Sequence, residues 1–386
     1  MPRLITNRVL GVLVVIGSSA ALGLAYLSLA PNRLVLGTGI PLADLLHEWR
    51  KLILLPALLL CCGMFMPPTR RTHAAVAVAA SLLLVALVWL AGDAATRLSK
   101  VAPSISRVSL GGGFWVLLAV TWLAAVDALQ RLGLSAAWRT VAAAAVIAPV
   151  MVLVALGELN QLSLLKEYAN RQDVFHGALL RHLQIVGATL VPTLVIGVPL
   201  GLALFRSERV APAVFAVLNV IQTVPSIALF GLLIAPLALL AATLPWLGEL
   251  GVSGIGLAPA IIALTLYSLL PIVRSTVAGL GQVPRPVIEA AVGMGLTPRQ
   301  IFWKVQTPIA LPLLLSGIRV TTVQAIGLTV VAALIGAGGL GSIMFQGLLS
   351  SALDLVLLGV LPVVALAVTV DAAFRFLTLL LDRSQR

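Results

Sequence analysis

The chain is 386 residues long, 60% hydrophobic and only 10% charged, with a mean hydropathy of +1.12. Soluble domains are roughly 45–50% apolar and about 25% charged, so an ordinary water-soluble enzyme is excluded. The net charge of +12 comes from 25 Lys and Arg scattered singly through the loops. That scatter argues against nucleic acid as a partner and for membrane orientation signals.

Apolar runs broken by charge, Pro or Gly predict ten membrane spans, near residues 9–30, 52–66, 74–92, 113–129, 141–157, 183–205, 219–242, 257–275, 312–335 and 354–381. The first run follows Arg3 and Arg8 as a secretory signal does, but it is too long for one and leads into further spans, so it reads as a retained helix. Cys61 and Cys62 are adjacent in the second run and cannot staple distant segments. His47, His73, His176 and His182 have no metal-ligand spacing, and no catalytic constellation is present; no metal, cofactor or catalytic residue is expected. Asp127, Asp354 and Asp371 fall near span ends, within reach of water, which weakens a buried acid relay. With the N-terminus inside, sixteen of the 25 Lys and Arg lie on the inner side and nine outside, which favours cytoplasmic N- and C-termini.

Residues 160–182 are the longest polar segment and split the spans five and five. The expected organisation is an N-terminal set of spans over 1–158, to which no motif assigns a role, then a linker over 159–182, then a core over 183–381. Val174, Ala178 and Leu179 beside Arg181 and His182 suggest an amphipathic helix lying at the outer interface. In the core, Gly197 and Gly201 permit close helix approach. Gln222 beside the helix-breaking Pro225, Tyr267 and Gln324 are candidate pathway groups, because a broken helix frees carbonyls only where they line a cavity. Interhelical hydrogen bonding is the competing role for each.

The segment between the eighth and ninth spans, with its motif over 285–308, has an explicit local grammar. Pro286 suits a first helical turn, Glu289 lies near that positive end, and Ala290 and Ala291 keep one surface small. Gly295 can end the helix in the left-handed conformation, after which Thr297, Pro298 and Gln300 start a second one that Pro308 halts. Residues 336–341 match GxGxxG, yet a dinucleotide site needs a strand–turn–helix unit; a helix terminus and tight turn at the outer face is expected instead. None of the four lysines follows a glycine, so the chain has no phosphate-binding loop of its own.

Glu289, Ala290, Ala291, Gly295, Val305, Thr307 and Pro308 together resemble the EAA loop of permease subunits of ATP-binding-cassette importers. Val305 and Thr307 stand where that family prefers Ile and Leu. The runs 221–226, 266–272 and 334–341 are similar to permeases of the osmoprotectant group, and 30–35 with 166–175 resemble the longer Yeh-type permeases of glycine betaine uptake. The resemblance implies an all-α, polytopic inner-membrane bundle with a type I importer core in its C-terminal half. It implies coupling to a cytoplasmic ATPase through Glu289, Ala290, Ala291, Gly295 and Pro308, a periplasmic solute-binding protein, a second permease chain and surrounding lipid. The expected cargo is glycine betaine or a related quaternary ammonium solute, and ATP hydrolysis is expected on another chain. A permease for another small solute such as an amino acid, an ion-coupled carrier without an ATPase, and a sensor that merely recruits one are the competing readings.

Overall fold

The computed structural model describes residues 6–32, 35, 37–103, 105–207, 209–249 and 251–384. Arg3, Arg33, Leu34 and Arg386, used above for orientation and resemblance, lie outside the described residues. The chain forms two compact units, residues 1–170 and 171–386.

The first unit holds α1 (Arg8–Gly23), α2 (Leu54–Gly63), α3 (Arg70–Val101), α4 (Gly112–Arg131), α5 (Ala136–Ala155) and α6 (Ser163–Asn170). Three strands, β1 (Ala25–Ala30), β2 (Thr38–Pro41) and β3 (Arg107–Leu110), form an antiparallel sheet with β1 in the centre. This sheet corrects the first expected span. The helix stops after 16 residues, about 24 Å, and the rest of the apolar run pairs as a strand that buries Tyr26 and Leu27 completely. Burial of both neighbours erases the two-residue alternation by which a strand is usually recognised. The second expected span is likewise short, a ten-residue α2 preceded by a 3-10 turn over Glu48–Ile53.

The second unit holds α7 (Gln172–Arg206), α8 (Ala211–Thr223), α9 (Ser226–Thr243), α10 (Pro245–Glu249), α11 (Leu257–Gly281), α12 (Arg285–Gly293), α13 (Pro298–Ile301), α14 (Thr307–Ala332), α15 (Leu340–Leu349) and α16 (Leu353–Ser384). Among the described residues, seven helices of the whole chain are long and apolar enough to cross a membrane. Within 160–182 the structure holds the short amphipathic α6, while Val174, Ala178, Arg181 and His182 sit in the first turns of the 35-residue α7 rather than in a helix of their own. At about 1.5 Å per residue α7 is ~52 Å long, well beyond a ~30 Å hydrocarbon layer, so a polar first stretch extends a spanning helix without needing one of its own.

Helices α7, α11 and α14 pack together as the centre of this unit. The glycine spacing works as expected. A Cβ on Gly197 would stand 2.9 Å from Ile272 Cγ2, and one on Gly201 would stand 2.6 Å from Thr276 Cβ, so α11 lies closer to α7 than any larger residue allows.

Candidate coupling site and pathway groups

Between α11 and α14 the chain folds into a small knuckle. Pro286 stands in the first turn of α12, where its missing N–H costs nothing. The helix ends in a Schellman motif: Leu296 N–H donates to Ala291 O at 3.2 Å and Gly295 N–H to Val292 O at 2.9 Å, with Gly295 at φ +77°. Thr297 then caps α13. Its hydroxyl accepts from Gln300 N–H at 3.4 Å while Gln300 Oε1 accepts from Thr297 N–H at 2.8 Å, a reciprocal capping box.

The expected contact set divides on this frame. Glu289 and Ala290 are exposed. Glu289 stands in the second turn of α12 rather than in its first. Ala291 is 1% exposed and packs inward, so its small side chain serves the knuckle's own interior and offers nothing to a partner. Gly295 is exposed with open space around it; the backbone angle, not crowding, demands glycine there. Val287, Val292, Met294 and Trp303 are all at least 40% exposed around the same knuckle. The sequence reading passed over this apolar set, whose signal was the presence of four large apolar residues in a loop between spans. Exposed Met and Trp beside a carboxylate match the composition of protein-docking surfaces.

Pro308 does not halt the second helix. The path from Pro298 to Ile335 is one continuous helix of 38 residues, with a π turn over Phe302–Gln306. In the wider turn Thr307 N–H donates to Phe302 O, and Thr307 Oγ1 donates to the same carbonyl at 2.8 Å. The knuckle therefore continues into α14 without a break in the helical path. Arg206, the last residue of α7, lies over the Phe302 ring at 6.0 Å, so the base of the knuckle touches α7 as well.

Two of the three pathway candidates meet. Pro271 lies inside α11 and leaves the carbonyl of Tyr267, four residues earlier, without its helical donor. Gln222 Nε2 donates to that carbonyl at 2.7 Å. Tyr267, 5% exposed, donates its hydroxyl to the Val224 carbonyl in the break between α8 and α9. Gln222 thus satisfies a carbonyl that Pro271 has released, and Tyr267 satisfies one in the break between α8 and α9. Gln324 is half-buried on α14 and joins neither. Replacing Gln222 with Leu should leave the Tyr267 carbonyl unpaired and lower stability by about 1–3 kcal/mol, measured as a fall in the thermal midpoint of the purified chain. An unchanged midpoint would mean that another donor takes over.

At the other end of α7, the glycines of 336–341 make the expected tight turn. Gly336, Gly338 and Gly339 all have φ between +81° and +84°. The turn is latched to α7 by Arg181 Nε donating to Ala337 O at 3.1 Å, and His182 Nε2 lies 3.1 Å from Ile326 O. Cβ atoms on Gly338 and Gly339 would stand 3.3 Å from Arg181 Cγ and His182 Nδ1, a tight approach, and the positive φ at both is what demands glycine. His182, Thr189, Thr265, Ser268 and Thr321 line this three-helix centre, and each has a buried polar atom without a hydrogen-bond partner. Sequence reading missed this polar strip because each member is a single hydroxyl or imidazole within an apolar run.

Asp127 and Asp371 pair with Arg131 and Arg375 one turn away, both at 2.7 Å. Asp93 was overlooked because α3 runs nine residues past its expected end; it binds Arg50 at 2.8 Å and Arg97 at 3.1 Å. No group of three His, Cys, Asp or Glu able to hold a metal occurs among the described residues.

Residues 193–386 match the family described as binding-protein-dependent transport system inner membrane component, and residues 7–165 match the N-terminal domain of ABC transporter permease YehY. The chain is 39% identical to the osmoprotectant import permease protein OsmW of Salmonella typhimurium over 191 residues, 50% of this chain and 84% of that one. It is 40% identical to the carnitine transport permease protein OpuCB of Listeria monocytogenes over 193 residues, 50% of this chain and 81% of that one. A solved inward-facing MetNI methionine ABC transporter chain aligns over 55% of this chain and 98% of its own, at 26% identity and a TM-score of 0.48.

Proposed function

The chain belongs to the family of binding-protein-dependent transport system inner membrane components, and from that premise we propose that it is the permease subunit of an ATP-driven importer of glycine betaine or a related quaternary ammonium solute. The observation that carries this reading is the α12–α13 knuckle, a rigid exposed projection with Glu289 amid Val292, Met294 and Trp303, on a chain with no phosphate-binding loop. An ATPase on a separate chain docks there, a second permease chain completes the pathway, and a binding protein delivers solute to the opposite face. The knuckle then faces the cytoplasm, with both termini on the same side. Residues 183–381 act as the core and 285–308 as the coupling loop.

Closure of the ATPase pair moves the knuckle, and the continuous helical path into α14 carries that motion. The partnerless hydroxyls between α7, α11 and α14 make this packing less favourable than an apolar seam, and so favour a second arrangement in which they reach water or solute. Quaternary ammonium groups are bound best by aromatic cages. The reading places that cage, and with it most of the affinity, in the binding protein.

Uptake of a solute panel into vesicles containing this chain with its ATPase and binding protein tests the reading: ATP-dependent accumulation of glycine betaine supports it. Accumulation driven by an ion gradient without ATP overturns it. At the knuckle, Gly295→Val forces a branched side chain into the left-handed region at a cost of about 1–2 kcal/mol and should weaken co-purification of the ATPase. Gly295→Asn, which tolerates that region, should retain it.

A further inference from the structure

Three layers cross the packing of α7, α11 and α14, in the same order on each helix. Nearest the knuckle is the glycine crossing, where Gly197 and Gly201 of α7 meet Ile272 and Thr276 of α11, and Gly317 of α14 meets Ser275. Next come Thr189 on α7, Thr265 and Ser268 on α11 and Thr321 on α14, each at most 6% exposed and each with a hydroxyl that has no partner. At the far end, Arg181 and His182 of α7 meet the last turns of α14 and the glycine turn over 336–339.

The bonds at that far end differ in kind. Backbone ties α11 to α14, with Gly256 N–H donating to Ile335 O at 2.7 Å. Side chains tie α7: Arg181 to Ala337 O, His182 to Ile326 O, and Arg171 Nη1 to Gln346 Oε1 of α15 at 3.0 Å. Pro192 stands inside α7, between Thr189 and the glycine crossing, and has no N–H for the carbonyl of Ala188. The helix bends there most easily. Pro199 is a second such point, but it lies inside the glycine crossing, where α11 holds the helix.

We propose that residues 172–191 of α7 are a gate that swings about Pro192, releasing Arg181 and His182 and admitting water to the hydroxyls of Thr189, Thr265, Ser268 and Thr321. Closed, the gate leaves those groups without hydrogen bonds. Open, water supplies them in exchange for the side-chain bonds and apolar contacts of the far end, so two arrangements compete. The purpose of the gate rests on the transport reading: it lets solute pass from the end away from the knuckle into the hydroxyl layer. A quaternary ammonium has no N–H, so these hydroxyls would donate to the carboxylate of a betaine.

The test uses the full chain in nanodiscs, with Cys61→Ala and Cys62→Ala as background and Thr189→Cys, Ser268→Cys or Thr276→Cys added singly. The probe is a methanethiosulfonate carrying a trimethylammonium group, which reacts with the thiolate and so reports contact with water. Thr189→Cys and Ser268→Cys should react, whereas Thr276→Cys, at a position 5% exposed within the glycine crossing, should not. Arg181→Ala should raise both rates about tenfold, and Pro192→Ala, which restores the helical N–H, should lower them. Unreactive Thr189→Cys and Ser268→Cys even with Arg181→Ala, rates indifferent to Pro192→Ala, or Thr276→Cys reacting as fast as Ser268→Cys would each overturn the gate. These rates need no ATPase, so a failure of glycine betaine uptake beside the expected rates would remove the transport reading and leave the gate standing.

Discussion

Glu289→Lys should abolish ATP-dependent uptake while the protein inserts and folds normally. The two halves of this expectation rest on different physics. Glu289 is exposed on α12, and exposed substitutions away from caps or strained backbone usually change stability by no more than about 0.5 kcal/mol. Its neighbours Val292 and Met294 are 58% and 74% exposed, so an ATPase seated on the knuckle would desolvate the carboxylate. Reversing one partner of a desolvated charge pair costs about 2–5 kcal/mol or more, which is roughly 30-fold to several thousandfold in docking affinity. Glu289→Gln keeps shape and hydrogen-bonding capacity and should fall between the two. Uptake into vesicles, with co-sedimentation of the ATPase as a second readout, checks both variants. Undiminished ATP-driven uptake by Glu289→Lys would remove the knuckle from the coupling mechanism.

The knuckle was readable in advance because its determinants act over a few residues. Pro286, Gly295 and the Thr297–Gln300 pair each set a backbone angle or satisfy an N–H within one turn, and each does so in the structure. Features decided by partners elsewhere in the chain were not readable. Ala290 and Ala291 are chemically identical, and only tertiary packing exposes one and buries the other. Residues 25–30 look like the tail of a spanning helix until β2 and β3 are present to receive their hydrogen bonds. Pro308 carries a stop signal that a π turn overrides, and no local rule announces that wider turn.

The same distinction governs the pathway candidates. Gln222 and Tyr267 were chosen for lying near helix-breaking prolines, and they do meet. Their polar atoms are nevertheless used on backbone carbonyls, one that Pro271 leaves open and one in the break between α8 and α9. Residues that repair broken helices and residues that face solute answer to the same signal, because both need polar groups at hydrocarbon depth. Gln324, half-buried and outside this pair, retains the stronger claim to a solute-facing role.

The largest structural effect is expected from a single methyl group. Gly317 on α14 is buried against Ser275 on α11, and a Cβ there would stand 1.9 Å from Ser275 Oγ and 2.3 Å from its Cβ. Rotating Ser275 relieves the first contact but not the second, since the Cβ is fixed to the backbone. Gly317→Ala must therefore push α11 and α14 apart. Overpacking of this kind costs about 1–3 kcal/mol and sometimes more, and here it also disturbs the two helices from which the coupling loop is suspended. The thermal midpoint and ATP-dependent uptake should fall together. Ser275→Gly removes both clashing atoms and leaves the Pro271 carbonyl, at 3.6 Å, as the next neighbour. Alone it costs about 0.5–1 kcal/mol as a glycine within a helix. Combined with Gly317→Ala it should recover most of the lost stability, so that the two substitutions are strongly non-additive. Losses that simply sum in the double variant would show that α11 and α14 do not cross at this pair.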